Sequence, residues 1–169
     1  MLDIRGGLEL IAEFILDKLR EELEEQDHRA TGDLIDSMQA IVGVKSGGFE
    51  ITIIANDYAK YMEEGFSPGK WVNPYALAEW VERKGIATGV KEIKAAAFAI
   101  RAAIHREGMP TNGSYKFSKN GRRTGFIDFV MDENAEAIFE KALEVFTKEI
   151  DLSLTNIVNK NKVTFEKWQ

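Results

Sequence analysis

Residues 56–86, NDYAKYMEEGFSPGKWVNPYALAEWVERKGI, carry the strongest structural signals in this chain. Tyr58, Tyr61 and Met62 follow the i, i+3, i+4 spacing of one helix face, and Gly65 can end such a helix in a left-handed conformation. Asn73-Pro74 then predicts a second helix, because asparagine is a good N-cap and proline suits the first helical position. The stretch therefore predicts two helices joined by a loop over residues 66–72.

The second of these helices repeats the same apolar spacing and stops near Gly85. We expect the apolar residues of both helices to contribute to a core, and the loop 66–72 to be the one that faces a neighbouring molecule. The predicted core residues of the stretch are Tyr58, Tyr61, Leu77, Trp80 and Val81.

Ahead of this stretch, the pattern predicts a long helix, a short helix and a hairpin. Apolar residues recur every three or four positions over residues 2–27, although Gly6-Gly7 weakens the first turn. Acidic residues crowd the far end of that helix, which is unfavourable for the helix dipole. This conflict predicts either a frayed helix end or cations supplied by a neighbouring subunit, although a solvated acidic face is the commoner explanation of such a run.

The period then changes from helical to alternating. A short helix begins near Leu34, and residues 40–55 alternate around Gly47-Gly48 as the two strands of a β-hairpin do. Val42 and Val44 would share one face of the first strand, and Phe49, Ile51 and Ile53 one face of the second.

After the opening stretch, helical spacing returns twice. Residues 90–107 form an alanine-rich helix that ends at Gly108, and residues 134–158 form a last long helix. Between them, residues 126–131 fit either a short strand or the start of a helix. The pattern predicts an α+β fold, with a small antiparallel sheet packed against helices. We expect a single domain over residues 1–158 and a polar C-terminal tail over residues 159–169.

Composition narrows the class of protein. The 169 residues suffice for one domain, and the balance of 44% hydrophobic and 30% charged residues is typical of soluble globular proteins. No cysteine is present, so disulfides and cysteine metal sites are excluded, and the composition suits assembly in a reducing cytosol. We expect no secretory signal and no membrane-spanning segment.

Catalytic and cofactor motifs are missing from the sequence. His28 and His105 lack a ligand-spaced histidine or carboxylate, and no dinucleotide, phosphate-loop, serine-hydrolase or zinc-protease motif occurs. We therefore expect no enzymatic activity, no cofactor and no metal. The weakest of the alternatives is a small hydrolase or metal enzyme built on Glu63, Glu64 and His105.

Residues 110–125, PTNGSYKFSKNGRRTG, are the one locally basic segment, and aromatic residues alternate with its cations. Such a segment can contact nucleic acid or an acidic protein partner. The formal net charge of −6 favours a protein partner, because affinity for nucleic acid depends on neutralising phosphates. A nucleic-acid-binding module that uses residues 115–123 stays open as the alternative. The candidate interaction residues here are Tyr115, Lys116, Phe117, Lys119, Arg122 and Arg123.

The ordered motifs resemble those of the neck and tail-completion proteins of tailed bacteriophages, the head–tail joining family. The sequences that carry the resemblance occur in the order TGDLIDSM, ITIIAND, YAKYMEEG, EWVERKGI and IRAAIHREGMP, before the long C-terminal helix. The resemblance covers roughly residues 8–158. This chain differs by its longer segment at 110–125 and by the aromatic residues after position 159.

The resemblance implies a structural virion protein, assembled in the bacterial cytoplasm, which forms a ring between the tail tube and the capsid connector. Its partners would be further copies of itself and other tail, neck or portal-proximal proteins, while DNA passes nearby without specific binding. An acidic lining suits such a passage because it repels phosphates. Besides residues 115–123, we expect contacts through the apolar residues of the C-terminal tail, which are Val163, Phe165 and Trp168.

Overall fold

The computed structural model describes residues 4–28, 32–45 and 48–166, with the backbone alone beyond residue 160. Seven α-helices, two strands and one 3₁₀ helix are found in these ranges. In chain order they are α1 (Ile4–Glu25), α2 (Asp33–Ser37), β1 (Gln39–Lys45), β2 (Gly48–Ile54), α3 (Tyr58–Glu64), α4 (Pro74–Arg83), α5 (Val90–Glu107), the 3₁₀ helix (Asn112–Phe117), α6 (Phe126–Glu133) and α7 (Ala135–Glu166).

The α+β prediction is confirmed. The strands β1 and β2 form a two-stranded antiparallel sheet, and the predicted hairpin at 40–55 differs from it by one residue at each end. The two helices of the opening stretch are present as α3 and α4. The Asn73 side chain accepts a hydrogen bond from the backbone N–H of Tyr75 at 2.9 Å, which is the predicted cap of α4.

Backbone contacts divide the chain into two compact units, and the single domain predicted over residues 1–158 stays a prediction. The first unit contains the described parts of residues 1–18, 39–54 and 131–169. The second contains those of residues 19–38 and 55–130. Both units take in part of α1 and part of α6, since each of these helices crosses a boundary.

In the first unit, α1 and α7 cross closely at Gly7. A Cβ atom at this glycine would lie 3.0 Å from Cγ1 of Val145 and 3.6 Å from the ring of Phe146. Ile11, Leu16 and Val145 are buried. Helix α1 begins at Ile4, ahead of Gly6-Gly7, so the glycine that weakens the helical propensity also allows α7 to approach.

The hairpin presents apolar side chains that its own unit does not bury. Val42 pairs with Ile51, and Val44 pairs with Phe49, so the predicted shared faces are confirmed by the register. Val42 and Ile51 are half-buried, whereas Val44 and Phe49 are exposed. A two-stranded hairpin has limited stability by itself, and the exposed side chains of Val44 and Phe49 bury little apolar surface in it.

The core of the second unit includes residues of α1 to α6. Met62 and Val81 are fully buried, as is Phe126, while Leu77 and Trp80 are half-buried. The prediction for Tyr58 and Tyr61 is wrong, because these side chains are 48% and 45% exposed. Both lie on α3 one turn apart, and Met62 alone of that helix is buried, so α3 packs along a narrower strip than its apolar spacing suggests.

A short backbone bridge joins the ends of α3 and α5. The N–H of Phe66 donates to the carbonyl of Met109 at 2.9 Å, and the N–H of Met109 donates to the carbonyl of Phe66 at 2.8 Å. Gly65 and Gly108 precede the two partners and adopt positive φ angles of 64° and 84°. The bridge therefore fixes the point at which the basic segment 110–125 leaves α5.

Two predictions about the C-terminal third are settled by the backbone. Residues 126–131 belong to helix α6, so the strand alternative is wrong. Helix α7 continues to Glu166, so its backbone is helical beyond residue 158, where the last helix was predicted to end. The C-terminal tail predicted over residues 159–169 stays a prediction.

Candidate interaction surface

The second half of the basic segment lies against the C-terminal end of α1. The backbone N–H of Lys119 donates to the carbonyl oxygen of Glu25 at 2.8 Å, and the hydroxyl of Ser118 donates to the same oxygen at 3.4 Å. This carbonyl belongs to the last turn of α1, where backbone acceptors lack helical partners. The segment thus caps the acidic helix end whose sequence predicted fraying or cations from another subunit.

Three of the four predicted cations contact residues outside the basic segment. The ammonium group of Lys119 pairs with Glu25 at 3.0 Å, and the hydrogen bond that it donates to this carboxylate raises the pKa of Lys119. The guanidinium of Arg122 lies 3.3 Å from the centre of the Phe129 ring. Arg123 donates to the carbonyl of Gln26, and burial lowers the pKa of Arg123.

Beside these cations lies a polar cluster, which we define as Glu22, Gln26, His28 and Asn120, and of which Glu22 and Gln26 are buried. Gln26 is 0% exposed and Glu22 is 6% exposed. The Gln26 amide donates to Glu22 Oε1 at 2.8 Å and to the carbonyl of Thr124 at 3.3 Å. Asn120 Nδ2 donates to both Glu22 oxygens, at 2.9 and 3.1 Å. Such bonds offset the cost of burying a carboxylate.

His28 completes the cluster as a neutral structural residue. Its Nε2 lies 3.1 Å from Gln26 Oε1 and 3.0 Å from the carbonyl oxygen of Arg123. Both partners are acceptors, so this nitrogen carries the hydrogen. Burial and, to a lesser extent, the charge of Arg123 lower the pKa of His28 from 6.5 to about 4. At neutral pH His28 therefore serves packing and hydrogen bonding.

The first half of the basic segment differs, because its side chains remain exposed. Tyr115, Lys116 and Phe117 lie on the 3₁₀ helix, and the ammonium of Lys116 is 5.0 Å from the centre of the Phe117 ring. All three side chains are exposed and are therefore available to a partner. Their contact with a partner stays a prediction.

The residues of the enzyme alternative have structural partners. The Glu63 carboxylate accepts from the backbone N–H groups of Ile127 and Asp128, at 2.8 and 3.2 Å, and so caps the N-terminus of α6. The ring of His105 stacks on Trp71 with 3.8 Å between ring centres. Within the described ranges, no group of three or more histidine, aspartate or glutamate side chains could hold a metal ion.

The loop 66–72, predicted to face a neighbour, packs along α5. The N–H of Gly69 donates to the carbonyl of His105 at 2.7 Å, and Arg101 donates to the carbonyl of Val72 at 3.0 Å. The Arg101 guanidinium also lies 4.5 Å from the centre of the Trp71 ring, which it shares with His105. The ring of Trp71 nevertheless stays mostly exposed, so the predicted contact with a neighbour remains to be tested.

Helix α7 carries an exposed apolar surface that the sequence did not single out. Its spacing predicts one apolar seam facing a core, but only Val145 of that seam is buried. We define the α7 stripe as the large apolar side chains on its outer face, which are 48% to 65% exposed. They are Phe139, Leu143, Ile150, Leu154 and Ile157, whereas Leu152 and Val158, which are also about half exposed, lie outside this face. The signal was present in the sequence, since apolar residues of α7 cover more than one helix face.

The residues of the C-terminal tail that were predicted to make contacts lie largely outside the described part of the chain. Val163 and Phe165 belong to the backbone of α7, but their side chains are outside the described residues, and Trp168 is outside them altogether. These three predictions are therefore untested. Each helix that the structure describes is too short or too polar to span a lipid bilayer.

No family model, no curated protein and no solved structure matches this chain.

Proposed function

We propose that this protein is a structural component of the head–tail junction of a tailed bacteriophage and acts by assembling into a ring. The observation that carries the proposal is the α7 stripe, five large apolar side chains left about half exposed or more on one helix. Contiguous apolar surface of this kind is typical of protein interaction sites. The exposed Val44 and Phe49 on the hairpin add to the uncovered apolar surface.

The charge of the chain supports the same role. With a formal net charge of −6, a ring of these subunits would line a passage with acidic groups. Such a lining repels the phosphates of DNA and lets the duplex move through. The motif order described above, from TGDLIDSM to IRAAIHREGMP, supplies the remaining support.

The alternative of a nucleic-acid-binding module receives less support. Lys119, Arg122 and Arg123 are engaged with α1 and α6, and only Lys116 of the four cations projects from the exposed 3₁₀ helix. One available lysine neutralises too few phosphates to sustain binding at physiological salt.

The test of assembly is native mass spectrometry and negative-stain electron microscopy of the purified protein, alone and mixed with the connector and tail-tube proteins encoded beside it. We expect closed rings, either alone or in the presence of one partner. A protein that stays monomeric at high concentration and forms no ring with either partner would contradict the proposal.

The test of the alternative is retention of duplex and single-stranded DNA over a salt titration, with Lys116→Glu as the variant and Lys60→Glu as the control of equal charge change. Lys116 is the cation to reverse, because reversing Lys119 or Arg123 would disrupt the contacts with α1. We expect no retention at physiological salt. Retention that Lys116→Glu abolishes and Lys60→Glu preserves would favour the nucleic-acid module.

A further inference from the structure

The α7 stripe has a regular geometry that a helix-binding surface requires. Its members are separated by four, seven, four and three residues, so they lie on one face of the helix. The 19 residues from Phe139 to Ile157 are separated by 18 steps of 1.5 Å and so extend over about 27 Å of helix. The surface offered is therefore a long, narrow apolar strip.

One edge of this strip is acidic. Glu140, Glu144 and Asp151 directly follow Phe139, Leu143 and Ile150, which places their side chains along the same side of the stripe. All three are exposed. Glu144 pairs with Lys141 at 3.0 Å, whereas Glu140 and Asp151 make no ion pair with the described residues. A partner helix that covers the stripe would gain from cations at that edge.

Helix α5 presents a surface with the complementary pattern. Val90, Lys94, Phe98 and Arg101 follow one another at intervals of four, four and three residues, and Lys91 lies seven residues before Phe98. Val90 is 72% exposed and Phe98 is 58% exposed. We define the α5 face as these residues together with the exposed ring of Trp71, which Arg101 contacts.

The cations of this face are available. Lys91 and Lys94 are exposed and form no ion pair within the described residues, so no carboxylate of their own chain neutralises them there. This basic and aromatic face lies on a chain whose acidic residues outnumber its basic ones, with a net charge of −6. Electrostatic complementarity of this kind selects partners and fixes register.

We propose that the α5 face of one copy docks on the α7 stripe of a second copy, with Lys91 and Lys94 facing the acidic edge formed by Glu140, Glu144 and Asp151. The contact joins two different surfaces, so each copy keeps one of each available for the next neighbour. A head-to-tail contact of this type generates a ring when the rotation closes. The inference rests on the proposed function for its biological role, but the contact itself is testable without any phage component.

A symmetric contact between two α7 stripes is the competing arrangement. An antiparallel pair of this kind would place the two acidic edges side by side, and like charges placed together across an interface are unfavourable. Two α5 faces would likewise bring Lys91 and Lys94 of both copies together. The heterologous contact avoids both conflicts, which is why we prefer it.

The experiment uses the absence of native cysteine, which makes every introduced cysteine unique. One preparation carries Phe98→Cys with an affinity tag, and three untagged preparations carry Leu143→Cys, Ile150→Cys or Ile157→Cys, so that the whole stripe is sampled. Each is treated with a short bis-maleimide, alone and in tagged–untagged pairs. We expect a cross-linked dimer in at least one mixture and none in any preparation alone.

Charge reversal then tests the predicted pairing between the lysines of α5 and the acidic edge of the α7 stripe, again by the amount of mixed cross-link. Lys91→Glu with Lys94→Glu is expected to reduce the mixed cross-link about tenfold, and adding Glu140→Lys with Asp151→Lys to the partner is expected to restore it. Lys45→Glu with Lys60→Glu is the matched control, since both lysines are exposed and lie outside α5 and α7. Far-ultraviolet circular dichroism confirms that each variant is folded.

Each outcome decides between the possibilities. Cross-links in the Phe98→Cys preparation alone, or in an α7 cysteine preparation alone, overturn the heterologous contact in favour of a symmetric one. No cross-link in any mixture at concentrations up to the solubility limit also overturns it. Rings that form in the microscopy test while the cross-link is absent would leave the proposed function standing and refute this interface alone.

Discussion

Residues 118–124 and helix α7 differ in where their side chains find partners. In the first region, Lys119, Asn120 and Arg123 all contact the last turns of α1 or the residues that follow them, and the carboxylate of Glu22 is covered. On α7, no described element of the same compact unit covers the stripe from Phe139 to Ile157, and its apolar side chains are about half exposed or more.

The contrast shows that a polar loop can be more firmly held than an apolar helix face. A buried carboxylate with four hydrogen-bond acceptor positions needs specific donors, and the chain supplies them from residues distant in sequence. An apolar side chain on a helix needs only any complementary surface, which can belong to another molecule. Residues 118–124 therefore contribute to the stability of the monomer, and the α7 stripe does not.

The largest effect is expected at Gly108 and Gly65, which adjoin the backbone bridge from which the basic segment 110–125 leaves α5. A Cβ atom on Gly108 would overlap the carbonyl oxygen of Phe66, and one on Gly65 would overlap that of Met109. Both glycines also have positive φ angles. We expect Gly108→Ala or Gly65→Ala to lower the free energy of unfolding by about 3 kcal/mol or more, measured by urea denaturation.

Gly69→Ala separates the two causes of this loss, which are the overlap of a Cβ atom with a carbonyl oxygen and the positive φ angle. Gly69 has a φ angle of 93°, but no atom lies within 4 Å of the position that its Cβ would occupy. The variant should therefore lose only about 1 kcal/mol, from backbone strain. Equal losses at Gly69 and Gly108 would show that the bridge between Phe66 and Met109 contributes nothing beyond glycine conformation.

The next effect is a dependence of stability on pH that originates at His28. Because the pKa of this histidine falls from 6.5 to about 4 on folding, the unfolded state binds its proton first as the pH is lowered. Stability attributable to His28 is therefore complete above pH 6.5 and decreases as the pH falls towards 4. Asp27, Lys84 and Arg123 are the charged groups that act on it.

We expect the wild-type protein to lose about 2 kcal/mol between pH 7.5 and pH 5 relative to His28→Gln, which cannot titrate. The comparison removes the contribution of carboxylates, since both proteins share them. Urea denaturation at the two pH values measures it. Parallel pH profiles for the two proteins would contradict the burial of a neutral histidine.

A smaller loss is expected from Asn120→Ala. This substitution removes two hydrogen bonds to Glu22 and leaves the buried carboxylate with Gln26 as its remaining donor in the cluster. We expect a loss of about 1.5 kcal/mol in the free energy of unfolding. Asn112→Ala is the control, since Asn112 is exposed and should change the free energy of unfolding by less than about 0.5 kcal/mol.

Local pattern was sufficient to predict most of the fold. Helices α3, α4 and α5 and the hairpin were predictable because their caps, glycines and apolar spacing all favour the same structure. Residues 126–131 were ambiguous, and the deciding feature is the cap that Glu63 provides from 64 residues away in the chain. No local pattern contains that contact.

The candidate surface was less predictable, because composition does not specify which molecule a side chain contacts. The cations at 119–123 and the acidic end of α1 were both visible in the sequence, and each was assigned an external partner or solvent. They contact one another across more than 90 residues. The apolar residues of the α7 stripe were visible in the sequence too, but a half-exposed leucine and a buried one follow the same helical spacing, so the pattern does not tell which face of α7 is covered.

The smallest effect on the monomer, and the sharpest contrast with residues 118–124, is expected on α7. Ile150→Ser, Leu154→Ser and Ile157→Ser should each change the free energy of unfolding of the monomer by no more than about 0.5 kcal/mol, because these side chains are already about half in water. Val145→Ala on the buried side of the same helix should cost about 2 kcal/mol. Denaturation in dilute solution, where subunits are separate, measures both values.

The same serine variants should weaken self-association in sedimentation at high concentration, whereas Val145→Ala should not weaken it while the protein remains folded. If the serine substitutions destabilise the dilute monomer as much as Val145→Ala does, the stripe is covered by its own chain, and both the comparison and the ring proposal lose their main support.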